Sequence, residues 1–203
     1  MTLELDTPHG LARVHLHALR SPRAALILGH GAGGGVGAKD LVAATDAALS
    51  ENIAVALVEQ PYRVAGRRSP ASVRQLDAAW IAVVEHLRVH AFERLPLIVG
   101  GRSLGARVAC RTAALSGAVA VLCLAFPLLP PRRGGVLPQS RIGELDAVTV
   151  PALVVQGERD PFGIPLEAPS RKVVTVPGDH ALTADLEAVG AAVQTWLRGV
   201  VST

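Results

Sequence analysis

Lysine is nearly absent from this chain: among 20 basic residues only Lys39 and Lys172 are lysines, and no basic run is longer than two. The net charge of +3 therefore rests on scattered arginine, which provides no footprint for a nucleic acid backbone. Long apolar runs are absent too. The longest, 118–131, has fourteen residues and is broken by prolines, short of the ~18 or more needed to cross a bilayer. The opening MTLELDTPHG carries acids where an export signal requires a basic and then an apolar region. A cytoplasmic protein with no membrane or nucleic acid partner is expected. Cysteine is limited to Cys110 and Cys123, in apolar surroundings and without C-x-x-C or metal-ligand spacing. Two buried reduced thiols are expected, with no disulfide, no metal and no cofactor. Neither a repeat nor a linker interrupts the 203 residues, half of them apolar. That is enough for one sizeable core and too little for two ordinary ones, so residues 1–203 are expected to form a single domain.

What is present alternates strand and helix patterns. Residues 3–6 and 11–19 flank the turn cluster Thr7-Pro8-His9-Gly10 and read as a hairpin. In its second arm Ala12, Val14, Leu16 and Ala18 alternate with Arg13, His15 and His17, the period of an edge strand with one wet face. No carboxylate or cysteine joins His9, His15 and His17, so they read as solvent-facing rather than as metal ligands. Continuous apolar runs at 24–29 and 53–58 predict central strands covered on both faces. The first ends in His30-Gly31-Ala32-Gly33-Gly34-Gly35, the second in Glu59-Gln60-Pro61-Tyr62-Arg63. Helical spacing joins Leu41, Ala44, Ala48 and Leu49. Ser69-Pro70 reads as the start of a helix with Val73, Leu76, Trp80, Val83, Val84 and Leu87 on its buried stripe. Further strands are expected at 118–126, 152–156 and 172–176. A final helix should run from Leu182 through Leu186, Val189, Val193, Trp196 and Leu197 to Val200. This order predicts an α/β fold, a mostly parallel twisted sheet of about eight strands with helices on both faces.

The most informative stretch is 97–107, LIVGGRSLGAR. An apolar strand meets two glycines and, past Ser103, a helical pattern begins. Gly101-Arg102-Ser103-Leu104-Gly105 fits G-x-S-x-G, in which a serine sits on a sharp strand-to-helix turn with its hydroxyl exposed. At Gly101 and Gly105 a side chain would crowd the helix returning beside the strand. Loops beyond the carboxyl ends of parallel strands share one crevice. Four such loops supply Ala32, Ser103, Asp160 and His180, and the chain order Ser, Asp, His is that of α/β-hydrolases.

On these residues, with HGAGGG at 30–35, EQPYRVAGRR at 59–68, GGRSLGAR at 100–107, QGERDPFG at 156–163 and GDH at 178–180, nearly the whole chain resembles an α/β-hydrolase. More narrowly it is similar to the small dienelactone-hydrolase-like group that includes animal testis-expressed and chromatin-complex-subunit-like proteins. Dienelactone hydrolase itself uses a cysteine where Ser103 stands. The resemblance implies Ser103 as nucleophile, His180 as general base and acid, Asp160 as the group holding His180, and the N–H groups of Ala32 and Leu104 as the oxyanion hole. It also implies that His30 braces its loop, that a small-molecule acyl compound is the substrate, and that no metal or cofactor takes part.

Several rival readings accompany this one. Asp179 and Glu158 compete with Asp160 as the acid, although adjacent loop residues such as Asp179 and His180 rarely point at each other. Glu59, at the same edge of the sheet, either pairs with Arg102 or Arg63 to brace the elbow or is a solvated loop acid. Arg67, Arg68, Arg132 and Arg133 either favour an anionic substrate or are solvated surface. Gly29, Gly31 and Gly34 also satisfy G-x-G-x-x-G, the dinucleotide fingerprint, with Glu51 or Glu59 as the ribose-binding acid. A non-catalytic binding module on the same fold is the main alternative to an enzyme. Finally, between 127 and 149 there is room for only one short helix, near 140–145. A minimal lid or none is therefore expected, with a shallow cleft suited to short acyl groups.

Overall fold

The computed structural model describes residues 1–130 and 139–201. Eight strands form one sheet: β1 (Thr2–Thr7), β2 (Gly10–His17), β3 (Ala24–Gly29), β4 (Ile53–Glu59), β5 (Leu97–Arg102), β6 (Ala120–Leu124), β7 (Ala152–Gly157) and β8 (Arg171–Val176). Their spatial order is β1-β2-β4-β3-β5-β6-β7-β8. The β1–β2 and β2–β4 pairs are antiparallel and every other pair is parallel. β2 is thus an inner strand with β1 outside it, so the edge-strand reading of the hairpin's second arm is corrected. The alternation itself holds: Ala12, Val14 and Leu16 are buried, whereas His17 is exposed.

Among the described residues six helices accompany the sheet: α1 (Lys39–Ser50), α2 (Pro61–Val64), α3 (Val73–His90), α4 (Leu104–Ser116), α5 (Ile142–Asp146) and α6 (Leu186–Val201). Two cores result because strands buried on both faces send alternate side chains to opposite sides. Ala25 and Ile27 join Trp80, Val84, Leu87 and Val108 beneath α3 and α4. Ala24, Leu26 and Leu28 join Leu41, Ala44, Val189, Val193 and Leu197 beneath α1 and α6. Each fully buried leucine contributes about 1.5–3 kcal/mol relative to exposure. Trp80, 1% exposed, is the largest side chain of the first core, and its replacement by Ala would cost about 3–5 kcal/mol.

The helix boundaries differ from expectation where capping chemistry overrides local pattern. α3 begins at Val73, not at Ser69-Pro70. Ser72 caps it, the Gln75 N–H donates to its hydroxyl, and the Gln75 side chain accepts from the Ser72 N–H, a complete capping box. Val73, the first helical residue, is therefore exposed. α6 begins at Leu186; Leu182 lies ahead of it in a loop, buried and with φ of 51°. The single turn α2, with Pro61 at its start, was not anticipated.

β3 and β5 lie side by side at the centre, with Gly29 opposite Gly101. From β3 the chain moves outward to β4, then returns past β3 to β5. Their two loops therefore leave in opposite directions, opening a crevice at this switch point. Between β6 and β7 the only helix among the described residues is α5, and among those residues no lid is evident.

Candidate active site

The turn from β5 to α4 is as tight as the G-x-S-x-G spacing requires. A Cβ on Gly101 or on Gly105 would run into the Gly29 carbonyl oxygen, so both glycines let the elbow press against β3. Ser103 takes φ 51° and ψ −104°, a conformation that ordinary residues avoid and that surrounding structure must impose. It is fixed by its N–H, which donates to Leu124 O at 2.8 Å, and by its carbonyl, which accepts from the Arg107 N–H at 3.2 Å.

From the far side the loops after β7 and β8 bring in the other two predicted side chains. His180 Nε2 lies 2.9 Å from Ser103 Oγ, and Nδ1 lies 2.7 Å from Asp160 Oδ2. The Asp160 carboxylate is wholly buried and His180 is only 19% exposed. Burying a carboxylate requires donors on both oxygens. Gln156 Nε2 donates to Oδ2 at 2.7 Å and the Phe162 N–H to Oδ1 at 2.8 Å. Gln156, a polar residue ending an apolar strand, went unnoticed in the sequence although that position is its signal. The Phe162 ring meets the His180 imidazole edge-on, 4.5 Å between centroids. The rival acids do other things: Asp179 Oδ1 accepts from the Ala181 N–H at 2.9 Å, closing a turn, and Glu158 is exposed.

Ala32 and Leu104 line the same cleft as Ser103 and His180. Neither N–H donates to another group among the described residues. Ala32 is held from behind by Tyr62, whose hydroxyl donates to the Ala32 carbonyl at 3.0 Å. Burial raises the phenol pKa to about 12, so this donor stays protonated. His30 supports the same loop. It is 1% exposed, with Nδ1 2.8 Å from Gly31 O and Nε2 accepting from the Gln60 N–H at 3.1 Å. Because Nε2 accepts, the proton is on Nδ1 and the ring is neutral; burial lowers its pKa accordingly.

The Glu59 reading is corrected. Glu59 pairs with neither Arg102 nor Arg63. It faces Arg13 Nη1 at 3.6 Å and His15 Nε2 at 3.2 Å across the β2–β4 pair, because the register sets Arg13 opposite Glu59. Arg102 turns the other way. Its Nε lies 2.9 Å from Oδ2 of Asp40, which is 1% exposed, and its Nη2 donates to the His180 carbonyl at 3.1 Å. A Cβ at position 31 would come within 2.7 Å of Arg102 Nη1. Arg102 thus ties the elbow to the His180 loop and to α1, a role the sequence reading assigned to the wrong carboxylate. Burial raises the Asp40 pKa while Arg102 opposes that shift.

Arg67 and Arg68 are exposed, while Arg132 and Arg133 lie outside the described residues. Gly29 serves the elbow, and Glu51, the candidate ribose-binding acid, is engaged by Arg198 at 2.7 Å and Arg23 at 3.5 Å. Among the described residues no group of three or more His, Cys, Asp or Glu could hold a metal ion, and no helix is long and apolar enough to cross a membrane. Cys110 and Cys123 are buried free thiols with Sγ atoms 3.4 Å apart. The contact with Cys110, together with burial, holds the Cys123 thiol well above its ordinary pKa.

Comparison with known proteins agrees with this fold. A family described as "Alpha/beta hydrolase domain" matches residues 22–184. No curated protein matches significantly. Among solved structures, Est1E from Butyrivibrio proteoclasticus is similar with a TM-score of 0.80 at 17% identity, covering 100% of this chain and 99% of that one. XC6422 from Xanthomonas campestris, described as an a/b serine hydrolase without lid, has a TM-score of 0.77 at 21% identity, covering 98% and 94%. A dienelactone hydrolase from Anabaena variabilis has a TM-score of 0.78 at 16% identity, covering 98% and 96%. With the family match spanning most of its length, and with a sheet of the same fold as these structures, this chain belongs to the α/β-hydrolase family.

Proposed function

We propose that the protein is a single-domain serine hydrolase that cleaves small carboxylic esters or thioesters through an acyl-enzyme. The observation that carries this reading is the unbroken chain from Asp160 to His180 (2.7 Å) to Ser103 (2.9 Å), beside two uncommitted backbone N–H groups. In the proposed reaction Ser103 Oγ bonds to the acyl carbon while its proton passes to His180 Nε2. That proton then goes to the leaving group as the carbon–oxygen or carbon–sulfur bond breaks. Water repeats the attack with His180 again taking the proton, releasing the acid and restoring Ser103. Asp160 keeps the Nδ1 proton in position and stabilises the imidazolium. The Ala32 and Leu104 N–H groups would receive the oxyanion, each such donor being worth about 3–4 kcal/mol of transition-state stabilisation.

Substrate size follows from the cleft. It is an open groove in which, among the described residues, α5 is the only helix between β6 and β7, so little is on hand to enclose a long acyl chain. Acyl groups of about two to six carbons are expected to be preferred, with loose selectivity, because each further methylene adds at most ~0.8 kcal/mol even when buried. The test is labelling with a serine-directed fluorophosphonate, followed by p-nitrophenyl esters of increasing acyl length. Labelling that disappears in Ser103→Ala and a specificity constant that declines for long chains are expected. Absence of labelling would favour the non-catalytic binding module, and a specificity constant rising steadily to sixteen carbons would reveal an apolar tunnel.

A further inference from the structure

Three guanidinium groups line the cleft that contains Ser103 and His180: those of Arg102, Arg107 and Arg141. Two of them are already neutralised. Arg102 faces Asp40 at 2.9 Å, and Arg107 grips Glu144 through Nε at 2.9 Å and Nη2 at 2.6 Å. Arg141 has no carboxylate within ion-pair distance among the described residues, and residues 131–138 contain neither Asp nor Glu. Its backbone N–H donates to Leu128 O at 2.8 Å and its Nη1 to Pro127 O at 3.1 Å. The head group is thereby held at the cleft wall, with Nε and Nη2 making no bond among the described residues.

The surroundings sharpen the imbalance. Beside Arg141, Arg107 and Arg111 share the two carboxylates Glu144 and Asp77. Adding Arg141 makes three guanidiniums against two carboxylates, a surplus of one positive charge. Partial burial lowers the Arg141 pKa, as do Arg107 and Arg111, with Glu144 opposing. A cation kept half-buried beside like charges is costly unless an opposite charge comes to it. A surplus of one matches a single negative charge, and a guanidinium edge with Nε and Nη2 free fits the two oxygens of a carboxylate.

We propose that Arg141 is a specificity-determining anion subsite and that the substrates are esters or thioesters whose acyl part ends in a carboxylate, such as half-esters of short diacids. This rests on the serine-hydrolase reading above. Hydrolysis adds water across the acyl bond, so a half-ester yields the diacid and the alcohol, with one proton released when the new carboxylic acid ionises.

The experiment compares p-nitrophenyl monoesters of glutaric and adipic acid with p-nitrophenyl pentanoate and hexanoate, matched in acyl length. The quantity read is the ratio of kcat/KM for the charged ester to that for its neutral partner. In Arg141→Gln this ratio is expected to fall roughly tenfold or more, with Arg141→Lys between the two, since a point charge lacks the fork. Added salt should lower the wild-type ratio through screening of a partly exposed charge. Arg94→Gln, which removes a distant charge 90% exposed, should leave it unchanged. A ratio in Arg141→Gln within twofold of wild type, or a wild-type ratio indifferent to salt, overturns the subsite. Failure of the underlying reading looks different: turnover of the neutral esters would then survive Ser103→Ala.

Discussion

Two histidines stand in loops at the same crevice, and their differences lie in their partners. His30 is enclosed by backbone, donating from Nδ1 to a carbonyl and accepting at Nε2 from an amide. Neither partner can exchange a proton, and a second proton on the ring would face the Gln60 N–H. His180 lies between a carboxylate and a hydroxyl, one able to compensate positive charge and the other able to give up a proton. The same imidazole is a fixed brace in one loop and, in the proposed reaction, a proton carrier in the other. What a histidine does is decided by the charge its neighbours can take up, more than by its burial.

The contrast can be broken most severely on the His180 side. Ser103→Ala, His180→Ala and Asp160→Asn should each reduce ester turnover by on the order of 10⁴ or more with the fold retained, since the three act as one unit. Kinetics beside circular dichroism check this; a damaging Asp179→Asn with a silent Asp160→Asn would reverse the acid assignment. Next comes the strut that positions His180. Arg102→Ala removes the bond to the His180 carbonyl and leaves Asp40 buried without its cation. It should lower kcat on the order of 10²-fold, the cost of a misplacement near 1 Å, with a smaller change in KM.

His30→Ala should act mainly on stability. It strands the Gln60 N–H, a loss of about 1–3 kcal/mol in chemical denaturation, while Ser103 still labels. The smallest effect is a pH dependence. The folded-state pKa of His30 is lowered from 6.5 by burial. In the window below 6.5 the unfolded chain therefore binds the proton more readily than the folded one, and stability rises with pH there. The stability due to the neutral ring is complete above 6.5 and is lost as pH falls toward the lowered folded value. Denaturation midpoints measured from pH 7.5 down to 5 should decline in the wild type and decline less in His30→Ala.

Much of this architecture is legible in the sequence because its signals are local. Apolar runs closed by glycine, proline or polar residues mark the parallel strands, and G-x-S-x-G with a strand before and a helix after marks the elbow. The order of Ser103, Asp160 and His180 is legible as well, since each follows a strand at the same edge. What escaped was set by register and by long side chains. Nothing near Glu59 in sequence announces that β2 lies beside β4 with Arg13 opposite, and the partner of Arg102 is 62 positions away at Asp40. Arginine reaches in any of several directions, so its partner follows only from the packed structure. The start of α3 was legible in principle: Ser72 and Gln75 spell a capping box, and Ser69-Pro70 was the weaker of two adjacent start signals.

The segment between β6 and β7 has a consequence for how such a protein could change over evolutionary time. It supplies Pro127 and Arg141 to the cleft, yet none of Ser103, Asp160, His180, Ala32 or Leu104 belongs to it. Its short helix α5 is fastened to the elbow helix through Glu144, which meets Arg107 and Arg111. Insertions on either side of that anchor would reshape the substrate boundary while the strained turn at Ser103 stayed unaltered. Under the proposed function, selectivity and reactivity are thus carried by separable pieces of chain, and new substrate ranges are open to exchange of one loop at a time.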